Sequence, residues 1–323
     1  MERPQMKAAF VAQPSTEDPA GAVGVGELPV PEAPDGWVEA EVRAGALNMH
    51  DVFTLRGIAK PAGAGPHVIG SDAAVVHNGQ PFVVYPVLPA DTAGRTVAHA
   101  TLLPDAGHGM LAERVVVPEA HLVPKPEALS WEEAACLPTA WLTAWRMLFT
   151  KAQAGPGKLV LVQGAGGGVA TAATALAVAA GATVVVTSRS AGKRERSLAL
   201  GAAAALESGA RLPQLADIVV ETVGPATFEH SMLSTRAGGT IVVCGGSTGF
   251  TAPLHLARLF AREVTVCGST MGTLEEFRDL VAFVDAHGIR PTVDSTADLA
   301  DAGKQVGRML AGDAFGKLCV RVA

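Results

Sequence analysis

Two textures of apolar and polar positions follow one another along the chain. In the first third, short apolar runs are separated by turns rich in proline and glycine. Residues 6–12 read as a strand, and residues 37–42 alternate apolar and polar as a half-buried strand should. Residues 68–76, 81–87 and 112–117 are further strand candidates, with a Pro/Ala/Gly loop at 60–66 and a turn at 105–109. Near Leu129 the pattern changes. Ser130 stands before Glu132 and Glu133, an N-cap followed by acidic first-turn residues. A helix is expected from Trp131 to Cys136, interrupted at Pro138, and a second over 139–151. A regular alternation follows. Strands are expected at 159–163, 183–187, 218–221, 240–244 and 264–267, with helices at 168–180, 193–200, 226–234 and 254–260. The strands are continuous apolar runs, as in a parallel sheet covered on both faces, and their spacing suits right-handed crossovers. Amphipathic helices at 274–287 and 299–310 and a strand at 317–322 form a tail that can return to the first region.

Composition narrows the class. The 323 residues suggest two domains, and 49 % hydrophobic with 17 % charged residues is ample for a large core. A net charge of −6 argues against tracking nucleic-acid phosphates. Cys136, Cys244, Cys267 and Cys319 lie far apart without a CxxC, which excludes a disulfide scaffold or a compact cysteine-based zinc knuckle. No charge occurs from Leu159 through Ser188, long enough for a bilayer. Its interior glycines and threonines fit a buried strand–turn–helix–strand instead, so no membrane association is expected. The opening MERPQMKAAF lacks a signal-peptide apolar core, and a cytoplasmic protein is the expectation.

The most informative motif lies inside that uncharged stretch. An apolar strand runs into Gly164-Ala165-Gly166-Gly167-Gly168-Val169-Ala170 and straight into a helix. Glycines there permit a tight turn and close approach of a pyrophosphate, which the helix N-terminus then binds. Dinucleotide sites for NAD place an acidic residue about 20 positions further on, for the ribose hydroxyls. Here that place reads Thr187-Ser188-Arg189-Ser190, with Lys193 one turn later. Hydroxyls and cations suit a 2′-phosphate, hence NADPH. Arg194 and Arg196 read as a solvated helix face. In a doubly wound sheet the ligand also meets the other carboxyl strand ends. Those supply Thr222–Gly224 in numbers 222–224, then Cys244, Gly245, Gly246 and Ser247, then Gly268, Ser269 and Thr270.

Together with that loop, Ala46-Leu47-Asn48 with Asp51, Arg56-Gly57, Ile69-Gly70-Ser71-Asp72, residues 134–143 (AACLPTAWLT), Gly268-Ser269-Thr270-Met271-Gly272 and Phe315-Gly316-Lys317 resemble the medium-chain dehydrogenase/reductases. The resemblance covers nearly the whole chain and is nearer the zinc-free quinone oxidoreductase branch. It implies an α/β protein with a GroES-like, β-rich substrate domain (1–127 and 269–323) and a doubly wound Rossmann NADP-binding domain (128–268). The active site would be the cleft between them. It further implies a homodimer or tetramer, in which strand 264–267 often pairs across the interface. Thr143 resembles the family's nicotinamide-side threonine, and Lys317 a lysine that approaches the cofactor.

Zinc-using relatives hold the catalytic metal with Cys, His and Cys. Alignment puts Asn48, Ser71 and Thr139 at those positions, and residues 88–112 lack the four cysteines of the structural zinc lobe. No metal is therefore expected. Without a Lewis acid, the implied chemistry is hydride transfer from NADPH to an electron-poor small molecule, a quinone or an activated alkene. The proton donor is open. Related enoyl reductases often use a tyrosine near the segment 48–56, where the aromatic here is Phe53, which cannot donate a proton. Tyr85, the sole tyrosine, and His50 are the alternatives, with Asn48 as a polar donor facing substrate. Two other readings stand beside this one: a biosynthetic enoyl reductase acting on a larger acyl or polyketide-like substrate, and a non-catalytic NADPH-binding sensor.

Overall fold

The structure, a computed structural model, describes residues 3–58, 66–88 and 100–322. All but the last position of the loop expected at 60–66 lies outside them. The chain divides into two units, Met1–Ala140 with Thr273–Ala323, and Trp141–Gly272.

The second unit is a single parallel sheet. Its strands are β1 (Leu159–Val162), β2 (Thr183–Thr187), β3 (Ala204–Leu206), β4 (Ala216–Glu221), β5 (Thr235–Val243) and β6 (Thr265–Gly268). Their order is β3-β2-β1-β4-β5-β6, and every pairing is parallel. Helices α1 (Gly168–Ala179), α2 (Ala191–Ala199), α3 (Pro225–Ser234) and α4 (Leu256–Ala261) make four of the five connections, and β3 passes to β4 without a helix. The chain steps outward from β1 to β3, then returns to β4 on the other side of β1. That reversal opens a crevice at the carboxyl ends of β1 and β4, where doubly wound sheets bind ligands. Leu161, Val219 and Ile241 have no exposed surface and pack with Val185, Phe228 and Met232. The sequence pattern missed β3, because its alanine-rich run continues the texture of the preceding helix. It also started β5 too late: α3 runs into it without a turn.

In the first unit, Trp37–Ala46 is the central strand of a seven-stranded sheet. It pairs antiparallel with Ala73–His77, with Arg114–Pro118 and with the C-terminal strand Lys317–Arg321. Val293–Asp298 lies parallel to that C-terminal strand. The tail therefore completes this unit's sheet. A smaller sheet joins Gln5–Val11 to Val23–Pro29 and His67–Val68. The glycine-rich Val23–Pro29 lacks the apolar alternation that would have marked it as a strand.

Two local departures from the expected elements build the site. The strand expected at 68–76 breaks at Gly70, which has φ +103°. A β-carbon there would lie 2.8 Å from the Leu111 amide nitrogen, so only glycine fits. The helix Trp131–Ala135 packs against Trp37–Ala46 and Ala73–His77, and so belongs to the first unit rather than beyond a boundary at 128. After it, Pro138 does not stop the helix. The chain passes through a π-helical turn, Leu137–Trp141, which carries Thr139.

Leu161 sits at the centre of the parallel sheet. Leu161→Ala is expected to lower unfolding free energy by about 2–5 kcal/mol, read by urea denaturation. Leu198→Ala, at a residue 48 % exposed, should change it by about 0.5 kcal/mol or less.

Candidate functional site

The first unit assembles a buried polar cluster from four separated segments. Asn48 precedes the helix Met49–Leu55, and Asp51 on its first turn accepts from the Asn48 amide at 2.7 Å and the Gly70 amide at 3.0 Å. Burial pushes the Asp51 carboxyl above the ordinary carboxylate range. The Asn48 side-chain nitrogen donates to Ser71 Oγ (3.1 Å), Asp72 Oδ2 (2.8 Å) and Ala46 O (3.3 Å). Ser71 Oγ lies 3.1 Å from Thr139 Oγ1, and the Thr139 amide donates to Asp72 Oδ1 at 2.9 Å. The three positions that the resemblance matches to metal ligands, Asn48, Ser71 and Thr139, are thus gathered in one place.

Lys317 closes this cluster. Its ammonium donates to Leu47 O (2.7 Å), Asn48 Oδ1 (2.5 Å) and Asp72 Oδ2 (3.0 Å). Lys317 is 3 % exposed and Asp72 fully buried. An ammonium has three donors, and these three acceptors use them. Lys317, expected to approach the cofactor, has its cation held by these three acceptors within the polar cluster. This donor set does not fit zinc. Asn48, Ser71 and Thr139 offer a neutral amide and two hydroxyls, the Lys317 cation occupies Asp72, and Asp51 is taken by the Asn48 and Gly70 amides. Among the described residues, no group of three or more His, Cys, Asp or Glu could hold a metal ion.

The two candidate proton donors lie in different settings. Tyr85 is 3 % exposed. Its ring packs edge-on to His121 at 5.0 Å and tilted over Phe277 at 6.0 Å. His121 Nδ1–H donates to Tyr85 O at 3.0 Å, and burial pushes that imidazole down to about 4. His50 is half-buried on the helix Met49–Leu55, with Nε2 3.1 Å from Asp105 Oδ2.

In the second unit, the glycine loop sits at the carboxyl end of β1. The Ala165 amide donates to Thr187 O (2.9 Å) at the end of β2, and the Gln163 amide to Val220 O (3.1 Å) on β4. Gly166 has φ +107°, and a β-carbon there would lie 2.7 Å from Lys193 Cδ, so the lysine lies against the loop. Gly167 is the N-cap of α1 and offers no side chain, and Gly168, Val169 and Ala170 form the first turn. Uncapped amides and a helix dipole suit a pyrophosphate. Ser190 caps α2, accepting from the Lys193 amide, while Ser188 is buried and Arg189 exposed. Arg194 departs from the solvated face assigned to it. It is half-buried, and its guanidinium donates to Ser188 O at 2.7 Å. The residues present therefore fit a phosphorylated dinucleotide, with Arg189, Lys193 and Arg194 about one strand end.

The other strand ends share this edge of the sheet. Cys244, Gly245 and Gly246 follow β5, and burial pushes the Cys244 thiol up to about 12. The Ser269 amide donates to Val243 O at 2.8 Å, and Ser269 Oγ to Thr270 O at 3.3 Å. Thr143 Oγ1 lies 3.5 Å from Met271 Sδ. Sequence reasoning missed what supports these loops. Glu221 is fully buried and accepts from the Val223 and Gly224 amides, Thr227 Oγ1 and Ser231 Oγ. Ser231 also accepts from Gln163, which accepts in turn from Thr187. A lone Glu ending an apolar strand was the available signal.

A family described as zinc-binding dehydrogenases matches residues 168–286. A zinc-type alcohol dehydrogenase-like protein of Schizosaccharomyces pombe is 32 % identical over 80 % of this chain and 83 % of its own length. The crystal structure of an NAD-dependent alcohol dehydrogenase superposes with TM-score 0.91 at 32 % identity, covering 98 % of this chain and all of the other. A 2-octenoyl-CoA carboxylase reductase, CinF, in complex with NADP and 2-octenoyl-CoA, superposes with TM-score 0.90 at 25 % identity, covering 98 % and 87 %.

Removing Lys317 leaves Asp72 buried without its countercharge. Lys317→Ala is expected to cost about 3–5 kcal/mol by denaturant titration. His121 gives a pH dependence. Its imidazole ionises near 4 when folded, against 6.5 ordinarily, so between those values the unfolded chain binds the extra proton. Stability is full above that window and falls as pH drops through it, by at most about 3 kcal/mol from this group. Thermal melts of His121→Gln against the unaltered protein should show a flatter profile there.

Proposed function

The chain belongs to the medium-chain dehydrogenase/reductase superfamily and is an oxidoreductase, and we propose that it uses NADPH, without zinc, to reduce an alkene conjugated to a carbonyl. The observation that carries this reading is the cluster of Asn48, Ser71, Thr139 and Asp72 closed by the Lys317 ammonium. It offers no set of soft or imidazole ligands for a Lewis acid, the main activation of a simple alcohol in zinc-using dehydrogenases. Hydride addition to an already polarised acceptor needs none. Bound NADPH supplies the hydride. The glycine loop and the first turn of α1 hold the pyrophosphate, and Arg189, Lys193 and Arg194 the 2′-phosphate. Cys244, Gly245, Gly246, Ser269, Thr270 and Thr143 complete the cofactor-facing set. His50 delivers the proton, because its side chain keeps 18 % exposure, whereas Tyr85 is packed inside the first unit at 3 %.

An enoyl thioester is the favoured acceptor, since CinF carries such a compound together with NADP at 25 % identity. A quinone is the second acceptor class. Further support bears on setting and assembly. All four cysteines are free thiols, as in a cytoplasmic protein. No helix among the described residues is long and apolar enough to cross a membrane. The sheet ends at β6, whose Val266 is exposed, and Phe250, Leu256 and Phe260 are exposed nearby in sequence. An unpaired edge with exposed apolar residues supports a homodimer through β6.

NADPH oxidation is to be followed with crotonyl-CoA and longer enoyl-CoA esters, an enone series and 1,4-benzoquinone. Turnover of conjugated acceptors with no oxidation of simple alcohols is expected; the opposite pattern would overturn the proposal. Arg189→Ala should weaken NADPH binding by about tenfold or more and leave NADH within twofold. Equal effects on both cofactors would contradict the 2′-phosphate assignment.

A further inference from the structure

We propose that Asp105 is a positioning residue that holds His50 as the proton donor, so that the two side chains act as one proton-delivery pair. The inference rests on the reductase reading above, and it concerns a carboxylate that neither the glycine loop nor the buried cluster uses.

The geometry is local to the first unit. His50 occupies the first turn of the helix Met49–Leu55, two residues after Asn48, and its carbonyl accepts from Thr54 Oγ1 at 3.1 Å. The buried cluster fixes the start of this helix through Asn48 and Asp51, so the base of the His50 side chain is held. Asp105 comes from a different segment, a one-turn 3₁₀ helix at Pro104–Ala106. That turn is tied down on both sides. Leu103 is fully buried and its amide donates to Pro86 O at 2.8 Å. Gly107 ends the turn with φ +92°, and its amide and that of His108 return to Pro104 O and Leu103 O. Asp105 is thus presented by a rigid turn.

The carboxylate is held in an unusual state. Oδ2 meets His50 Nε2 at 3.1 Å, with the His50 side chain 18 % exposed. Oδ1 is buried and has no hydrogen-bond partner among the described residues. Leaving a carboxylate oxygen dry and unpaired is costly. Burial raises the Asp105 carboxyl, with the His50 charge and a backbone hydrogen bond from Leu102 opposing that shift. A surface ion pair would show neither feature. The other ionisable groups near His50 among the described residues are Asp51 and His67, both coupled to it through their charges. Asp51 is already committed to the Asn48 and Gly70 amides. His67 is pushed down to about 4 by burial and by His50, so it is neutral and adds no cation. Asp105 is therefore the carboxylate left to orient the ring.

A hydrogen bond from Nε2–H to Asp105 fixes which nitrogen does what. It keeps the Nε2 proton in place and leaves Nδ1 as the atom that gives up its proton. NADPH, when bound, would supply the two electrons and one hydrogen that reach the β-carbon of the acceptor and would leave as NADP+, so that one proton remains to be delivered. The Nδ1–H bond of imidazolium His50 breaks, and that proton completes the reduced acceptor. His50 is left neutral with Nε2–H still on Asp105, and a proton from water restores Nδ1–H.

The test combines kinetics with a readout that needs no turnover. Asp105→Ala should lower kcat by about 10- to 100-fold with KM within twofold, and His50→Gln should lower it by about as much. The double variant should be no slower than His50→Gln, because the carboxylate acts only through the ring. Asp105→Glu, which keeps the acceptor, should recover part of the loss. In ¹⁵N NMR of the histidine-labelled protein, with His50 assigned by its loss in His50→Gln, neutral His50 should be the Nε2–H tautomer. Asp105→Ala should abolish that preference. Kcat within twofold of the unaltered protein in Asp105→Ala, a double variant losing the product of both effects, or an unchanged tautomer would each overturn the pairing. If the unaltered protein reduces no conjugated acceptor, the reductase reading fails and the catalytic role falls with it, while the NMR result still decides whether Asp105 orients His50.

Discussion

A lysine ammonium and a carboxylate, both buried, meet 3.0 Å apart in the first unit as Lys317 and Asp72. Neither charge is tolerable there alone, since desolvating one ion costs several kcal/mol. Their pairing forces distant parts of the chain together. Lys317 opens the C-terminal strand, Asp72 follows the Gly70 break, Asn48 caps a helix and Thr139 rides a π-helical turn. The ion pair alone repays only part of its desolvation. The amides and hydroxyls of Asn48, Ser71 and Thr139 satisfy the remaining lone pairs and protons, which makes the burial workable.

The same constraint shapes the chemistry. Asn48, Ser71 and Thr139 stand where the resemblance puts the metal ligands of zinc-using dehydrogenases, and the Lys317 cation is bound beside them. An ammonium with all three donors occupied supplies charge and rigidity, not an open coordination position. The second unit follows a parallel logic. Glu221 is buried at the end of β4, and its acceptor sites are filled by the loop it orders, so the edge facing a dinucleotide is preset before any ligand binds.

Much of this was legible in the sequence, and the exceptions have physical causes. The parallel sheet could be read because each strand is an uninterrupted apolar run, and the glycine loop because strand, turn and helix fall in register. Short strands such as Val23–Pro29 and β3 escaped because glycine or alanine gives neither alternation nor a β-branched run. The site residues Asn48, Ser71, Asp72 and Thr139 could be named from aligned motifs. The partners of Lys317 could not, because a motif records spacing along the chain and not the direction of a flexible four-carbon stem. Arg194 misled for a related reason: helical periodicity put it toward solvent, but its reach lets it return to Ser188 O. Asp105 gave no signal at all, because its meaning depends on a contact 55 residues away.

The ammonium-for-metal arrangement is tested most directly by zinc content and turnover measured together. The protein would be purified without chelator, its zinc counted per chain, and NADPH-dependent reduction followed before and after dialysis against 1,10-phenanthroline. Far less than one zinc per chain, with reduction unchanged by the chelator, is the predicted result. One zinc per chain, with activity lost on stripping and restored by zinc, would contradict it.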